Sequence, residues 1–201
     1  MPLLNINLRD AIIIKNKRIY LELLLLDDDY NNILKMCEKN YNNNHIKSFY
    51  SRPDIDLDDI QYQNEYKFID NQFLNLDSNV FDTLLYLIKL NPDTNIQDSQ
   101  TDGIIIGMLE IYENHSEKCI EFGLFIDKDY ARRHYGTETI RTVIKFLKKY
   151  SNVDKLVWTC GSDNIGSINV AKNCGFIHDF DEEQYGKIES HFKLVMAYAD
   201  Q

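Results

Sequence analysis

The residues best able to do chemistry concentrate in one stretch, Asp127-Lys-Asp-Tyr-Ala-Arg-Arg-His-Tyr-Gly-Thr-Glu138, which follows an apolar run and leads into a periodic one. A strand that passes through a basic, glycine-bearing loop straight into a helix gathers unpaired backbone N–H groups and the positive end of the helix dipole at one point. That point suits a diphosphate. Arg132 and Arg133 can add charge-assisted bonds to phosphate oxygens, which guanidinium groups match in geometry. The plainer alternative is a capped helix with two solvated arginines, and spacing alone does not separate the two.

Two further groups stand out. Glu121 interrupts the apolar run Cys119-Ile-Glu-Phe-Gly-Leu-Phe-Ile126, where desolvation raises a carboxyl group's affinity for a proton. It reads either as a general base or as a glutamate tied to a neighbouring strand or an arginine. Asn164 and Ser167 have the spacing of a helix N-cap with a serine in the first turn.

The elements that must position these groups follow from periodicity. Lys17–Leu26 is β-prone, a helix follows Asp27–Asp29 to about Glu38, and a second helix covers Leu57–Leu76. Phe81–Leu90 and Gly103–Tyr112 read as antiparallel strands about the turn-rich connection Asn91–Asp102, and Lys118–Ile126 as the next strand. Tyr135–Tyr150 carries Ile140, Val143, Ile144 and Leu147 at the 3.6-residue period, with Arg141, Lys145 and Lys148 turned away. Lys155–Cys160 is a strand and Ile165–Asn173 a short helix, with Gly175 at its left-handed cap; strands near Phe176–Phe180 and His191–Tyr198 close the chain. Trp158 alternates with Leu156 as a core position. Residues 1–16 receive no assignment, and 17–198 form one domain.

Composition narrows the function. No apolar stretch of the 201 residues reaches the roughly 20 needed to span a bilayer, and no secretory signal opens the chain, so a cytoplasmic location without membrane association is expected. A net charge of −10 disfavours nucleic acid as a partner. Cys37, Cys119, Cys160 and Cys174 lie too far apart for a zinc clip or a disulfide framework, and His45, His115, His178 and His191 lack ligand spacing, so no metal is expected. Acidic runs at Asp54–Asp59 and Asp181–Glu183 read as solvated surface or as attractors of a cationic partner.

Taken together, Glu121-Phe-Gly123, Tyr135-Gly-Thr-Glu138, Asn164-x-x-Ser167 and Gly175-Phe176 resemble the GNAT superfamily of N-acetyltransferases, and within it the RimJ/RimL-like ribosomal-protein alanine N-acetyltransferases. The element order agrees from Lys17 to Tyr198, and the motifs are sharp from Gly103 to Phe176. The resemblance implies an α/β (α+β) fold: a mixed, mostly antiparallel sheet flanked by helices and splayed between its fourth and fifth strands, Lys118–Ile126 and Lys155–Cys160. It implies acetyl-CoA as cosubstrate, with the pantetheine arm in the splay bonded by the backbone of Leu124, Phe125 and Ile126. Arg132, Arg133, His134, Tyr135, Gly136 and Thr137 would hold the pyrophosphate, and Asn164 would steady the arm.

The implied reaction is direct attack by a primary amine in a ternary complex. Glu121 would take the amine's proton, an N–H of Leu124–Ile126 would face the oxyanion, and Ser167 would protonate the leaving thiolate, because the tyrosine many members carry is Ala171 here. The acceptor is a protein N-terminus or a small cationic amine such as a polyamine or aminoglycoside. Two departures, Ala131 for the family's leading Arg or Gln and His134 for its first glycine, bear on cofactor affinity and keep a binding-only module as an alternative. The oligomeric state stays open, a homodimer included.

Overall fold

The computed structural model describes residues 13–24, 83–91, 103–184 and 186–197. The helices expected at Asp27–Glu38 and Leu57–Leu76, the acidic run Asp54–Asp59, Cys37 and His45 lie outside these residues.

Eight strands form one sheet: β1 (Ile13–Lys15), β2 (Ile19–Leu23), β3 (Thr83–Leu90), β4 (Ile105–Asn114), β5 (Cys119–Ile126), β6 (Lys155–Gly161), β7 (Ile177–Gln184) and β8 (Lys187–Val195). Their spatial order is β1-β2-β3-β4-β5-β6-β8-β7. Every neighbouring pair is antiparallel except β5 and β6, which run parallel. Two helices, α1 (Tyr135–Tyr150) and α2 (Ile165–Asn173), complete the described elements with a 3₁₀ turn at Lys128–Tyr130.

The sheet departs from the sequence reading at its two ends. Ile13–Lys15, left without assignment, pairs with β2 as an additional edge strand, so the strands that separate are the fifth and sixth. At the other end, Asp181–Glu183 are not in a loop: they lie inside β7, and the last strand starts at Lys187 rather than His191. β7 is an edge strand whose described side chains from Ile177 to Glu183 are exposed, so no burial alternation marks it.

The helices cover one face of the sheet. On α1, Ile140, Val143, Ile144 and Leu147 are buried while Arg141, Lys145, Lys148 and Lys149 are exposed, the outcome its period dictates. Ser151 ends the helix by donating both its N–H and its Oγ to the Leu147 carbonyl. Gly175 follows α2 at φ +91°, the left-handed value that favours glycine. Beneath the β5–β6 junction, Phe122, Trp158 and Phe176 pack with ring centroids 6.1–6.4 Å apart, tying β5, β6 and the residue after α2 into one aromatic cluster. Each such buried ring is worth about 1.5–3 kcal/mol of apolar burial.

Candidate active site

β5 and β6 touch at two residue pairs only, Ile120↔Leu156 and Glu121↔Val157. Beyond Glu121 the strands part, and among the described residues no strand pairs with the β6-facing main chain of Phe122, Leu124 and Ile126. Which backbone groups of β5 face the gap follows from the phase of the β4–β5 ladder. The Asp127 N–H donates to the Ile106 carbonyl, and a Cβ on Gly107 would collide with the Phe125 carbonyl, so odd-numbered residues of β5 turn their main chain toward β4. Phe122, Leu124 and Ile126 therefore present N–H and C=O to the gap. Phe125 is a correction to the sequence reading: its main chain faces Met108 on β4 and its side chain is buried.

At the far end of β5 the Asp127 side chain accepts from the Asp129 N–H and starts the 3₁₀ turn, which Ala131 closes by donating to Lys128. Arg132 (φ 60°) and His134 (φ 66°) then adopt left-handed backbone before α1 begins. His134 thus supplies the conformation for which the family pattern carries glycine, and histidine is among the residues that tolerate it. The N–H groups of Arg132–Thr137 have no hydrogen-bond partner among the described residues, and His134 caps α1 without a side-chain bond. N–H groups gathered without partners at a helix start have the form of a nest that can accept an anion.

The loop side chains take different paths. Arg132, Arg133 and His134 are exposed, the Arg133 guanidinium lying 5.6 Å from the Tyr130 ring centre. Tyr135 is buried beneath the Arg18 guanidinium, 4.6 Å from its ring centre. Thr137 is buried, and its carbonyl accepts from the Cys174 thiol. Gly136 is closely packed, which the sequence did not disclose: a Cβ there would sit 3.1 Å from Leu124 Cδ2 and 3.3 Å from Val170 Cγ2, where α1 lies against β5 and α2.

Glu121 occupies the crotch where β5 and β6 part. Its side chain is on the face opposite α1, held by the Tyr112 hydroxyl (2.8 Å) and the Asn114 Nδ2 (2.6 Å), both donating from β4. The reading of a glutamate tied to the neighbouring strand is thus realised, and it leaves the carboxylate oriented rather than ion-paired. Burial of Tyr112, reinforced by the Glu121 charge, pushes the phenol well above its usual range, so it stays a donor. The Cys119 thiol, also beside Glu121, is pushed up to about 11, burial being the main cause.

Asn164 N-caps α2, its Oδ1 accepting from the Ser167 N–H at 3.1 Å. Ser167 Oγ in turn accepts from the Trp158 indole N–H at 2.9 Å. Trp158 is 3% exposed, in the core as expected, but it also orients the serine. The Cys160 thiol is pushed up by burial, with hydrogen bonds from Ser167 and Trp158 working the other way. Glu121 and Ser167 thus approach the parting of β5 and β6 from opposite faces of the sheet.

Arg18, Tyr112 and Asn114 escaped the sequence reading, as did the bond from the core residue Trp158 to Ser167, because each acts through a partner that only strand register or helix docking brings near. A cavity of about 500 Å³ on the outer flank of α1, lined by Arg18, His134, Glu138, Arg141 and Lys145 among others, is distinct from the β5–β6 gap. The chemistry is read from the gap, which Glu121 borders at its base and which the main-chain groups of Phe122, Leu124 and Ile126 line on the way to the loop amides. Among the described residues no cluster of His, Cys, Asp and Glu could hold a metal ion, and no helix is long and apolar enough to cross a membrane.

Among the described residues, a mostly antiparallel sheet is thus parted at one parallel junction, and the edge so exposed leads to a bare helix start. The acetyltransferase (GNAT) domain family matches residues 18–177, and the chain belongs to that family. Over 71 residues it is 27% identical to the uncharacterized N-acetyltransferase YnaD of Bacillus subtilis, a match spanning 35% of this chain and 42% of that relative. The fold is similar to that of the Salmonella typhimurium acetyl transferase that modifies the N-terminal serine of 50S ribosomal subunit protein L7/L12 (TM-score 0.68, 16% identity, 92% of this chain and 99% of that one). It is also similar to microcin C7 self immunity acetyltransferase MccE, solved with acetyl-CoA and AMP (TM-score 0.68, 19% identity, 90% and 94% of the two chains). Spermidine N-acetyltransferase from Vibrio cholerae, solved with CoA and spermine, aligns with TM-score 0.65 at 14% identity over 90% and 96% of the two chains.

Proposed function

We propose that this protein transfers an acetyl group from acetyl-CoA to a primary amine, acting as one acetyltransferase domain over residues 17–198 with β1 added at its N-terminal side. The observation that carries the reading is the β5 edge: free main-chain groups at Phe122, Leu124 and Ile126 lead from Glu121 to the unpaired amides of Arg132–Thr137. At roughly 3.3 Å per residue that edge runs for about 13 Å. An extended amide-bearing arm fits it as a further strand would, with its diphosphate on the helix start.

In the reaction so read, the amine nitrogen forms a bond to the thioester carbonyl carbon while the C–S bond breaks. Glu121 accepts the ammonium proton, directly or through water, and Tyr112 and Asn114 keep its carboxylate aimed. The Leu124 N–H faces the developing oxyanion. Ser167 supplies a proton to the departing sulfur, its oxygen already oriented by Trp158, and regains one through solvent as the acylated nitrogen sheds its own. Asn164 would keep its cap while its exposed side borders the arm.

For the acceptor we favour a polypeptide N-terminus, placing the chain nearest the ribosomal-protein N-acetyltransferases. Glu121, Val157, Lys193 and Ile177 lie in one cross-strand row on the same face of β5, β6, β8 and β7, which at about 4.8 Å per strand extends some 14 Å from the base. Along it Ile177 (71%), Val195 (70%) and Phe180 (50%) are strongly exposed, more apolar surface than a small polyamine can cover. The free thiols Cys119, Cys160 and Cys174 suit a reducing compartment such as the cytoplasm. The test is a thermal-shift titration with acetyl-CoA, then thiol release with an Ala- or Ser-starting peptide against spermidine. Stabilisation with release by the peptide is expected. Binding without release from any amine would instead support a CoA-binding module, and preference for spermidine a small-molecule enzyme.

A further inference from the structure

We infer that Arg18, on the turn between β1 and β2, is a positioning residue that sets the direction of the diphosphate-binding amides. The inference rests on the acetyl-CoA reading above and adds a residue outside the loop to it. Arg18 touches three successive points at the entrance to α1. Its Nη2 donates to the Arg133 carbonyl at 3.2 Å, its plane lies over the Tyr135 ring, and its Nε donates to Glu138 Oε2 at 2.8 Å in an ion pair.

The first of these contacts has a geometric effect. In a trans peptide the carbonyl of one residue and the N–H of the next point in opposite directions. Holding the Arg133 carbonyl toward the hairpin therefore turns the His134 N–H to the other side of the loop, clear of any protein acceptor described. Nothing else described restrains this peptide. The bonds of the 3₁₀ turn end at Ala131, the first bond of α1 begins at the His134 carbonyl, and two left-handed residues flank Arg133. Such residues are held in place by their surroundings rather than by their own preference.

Arg18 is itself well anchored. The Asn91 N–H donates to its carbonyl at 2.8 Å, the Asn91 side chain donates to the Asn16 carbonyl, and Asn16 Nδ2 donates to Thr142 Oγ1 on α1 at 2.7 Å. Asn16 thus adds one contact between the hairpin and α1, while Arg18 reaches the loop through contacts of its own. A lysine there could reach one partner but not hold the carbonyl, the ring and the carboxylate from one planar group.

The test compares Arg18→Ala, Arg18→Lys and Asn16→Ala with the wild-type chain by calorimetry with CoA and by steady-state kinetics. Arg18→Ala should raise the Kd for CoA and the KM for acetyl-CoA about 10-fold, the loss of a charge-assisted contact. It should leave kcat at saturating acetyl-CoA and the KM for the amine within about 2-fold, since chemistry at Glu121 is untouched. Arg18→Lys should behave like the alanine variant, and it stands in should Arg18→Ala fail to fold. Asn16→Ala removes the hairpin's bond to Thr142 without touching the loop and should keep the Kd for CoA near wild type. Normal CoA affinity in both Arg18 variants overturns the inference, as does an equal loss in Asn16→Ala, which would mean hairpin docking alone. Failure of the wild-type chain to bind CoA overturns the acetyltransferase reading together with this inference.

Discussion

The indole N–H of Trp158 on β6 donates to the Ser167 hydroxyl oxygen on α2 at 2.9 Å, joining a core side chain to the first turn of that helix. The bond occupies a lone pair of the serine and leaves its proton to point elsewhere. The same bond gives the buried indole N–H its acceptor.

Ser167→Ala is accordingly expected to lower kcat at least 10-fold, within the range for losing a positioned proton donor, while the KM for acetyl-CoA stays near wild type. Trp158→Phe should have a smaller kinetic effect and destabilise the fold by about 1 kcal/mol through the lost hydrogen bond. Steady-state rates and denaturant unfolding measure the two. Equal kcat for Ser167→Ala and wild type removes the serine from the reaction.

Glu121→Gln should lower kcat about 100-fold with unchanged acetyl-CoA affinity, because the amide keeps its shape but cannot accept a proton. Tyr112→Phe leaves the carboxylate with Asn114 and, at 4.0 Å, the Cys119 thiol as described donors and should fall between the two. The decisive measurement is kcat/KM for the amine across pH. A glutamine variant that follows the wild-type profile assigns the proton to another group.

Gly136 separates packing from ligand binding. Gly136→Ala crowds Leu124 and Val170 and should cost about 1–3 kcal/mol of stability by overpacking. Gly136→Glu should abolish acetyl-CoA binding by calorimetry, since bulk and negative charge enter the loop. His134→Gly should do the opposite, relieving a left-handed residue by about 1 kcal/mol and raising Tm by about 2–4 °C with CoA affinity no weaker. A lower Tm would show that the imidazole makes compensating contacts.

Alkaline pH should destabilise the fold in a defined window. Burial pushes the Cys119 and Cys174 thiols up to about 11 in the folded chain, whereas an unfolded thiol ionises near 8.5. Between those values the native state binds more protons than the unfolded one, so stability falls as pH rises from about 8.5 to about 11. Tyr86 and Tyr112, whose phenols burial also raises, extend the fall from about pH 10 upward. Urea midpoints from pH 8 to 11 should show this, and Cys119→Ala with Cys174→Ala should flatten the lower half. A flat profile in the parent protein contradicts the burial of these groups.

Sequence pattern disclosed elements whose two faces meet different surroundings. The ranges Tyr135–Tyr150 and Ile165–Asn173 agree at both ends with the helices formed, because an apolar stripe, the Asn164 cap and Gly175 all mark the same boundaries. The strand read near Phe176–Phe180 stops short of the end of β7 at Gln184 for the converse reason: Asp179, Asp181, Glu182 and Glu183 are exposed on an edge strand, where carboxylates depress β propensity and no alternation survives. Site residues split along the same line. Glu121 and the loop amides announced themselves by residue type within a local pattern. Tyr112, Asn114 and Arg18 matter through contacts across 9, 7 and 115 or more positions, which follow from register and docking rather than from neighbours in the chain.

The two-pair junction of β5 with β6 divides the sheet into a plate of five strands and a plate of three, stitched along a seam barely longer than a single turn of chain. Below the seam, the Phe122–Trp158–Phe176 rings act as the rivet. A molecule lodged above it would lengthen the stitch, so occupancy should be legible as slower amide exchange along Phe122–Ile126, even in a variant whose chemistry has been silenced.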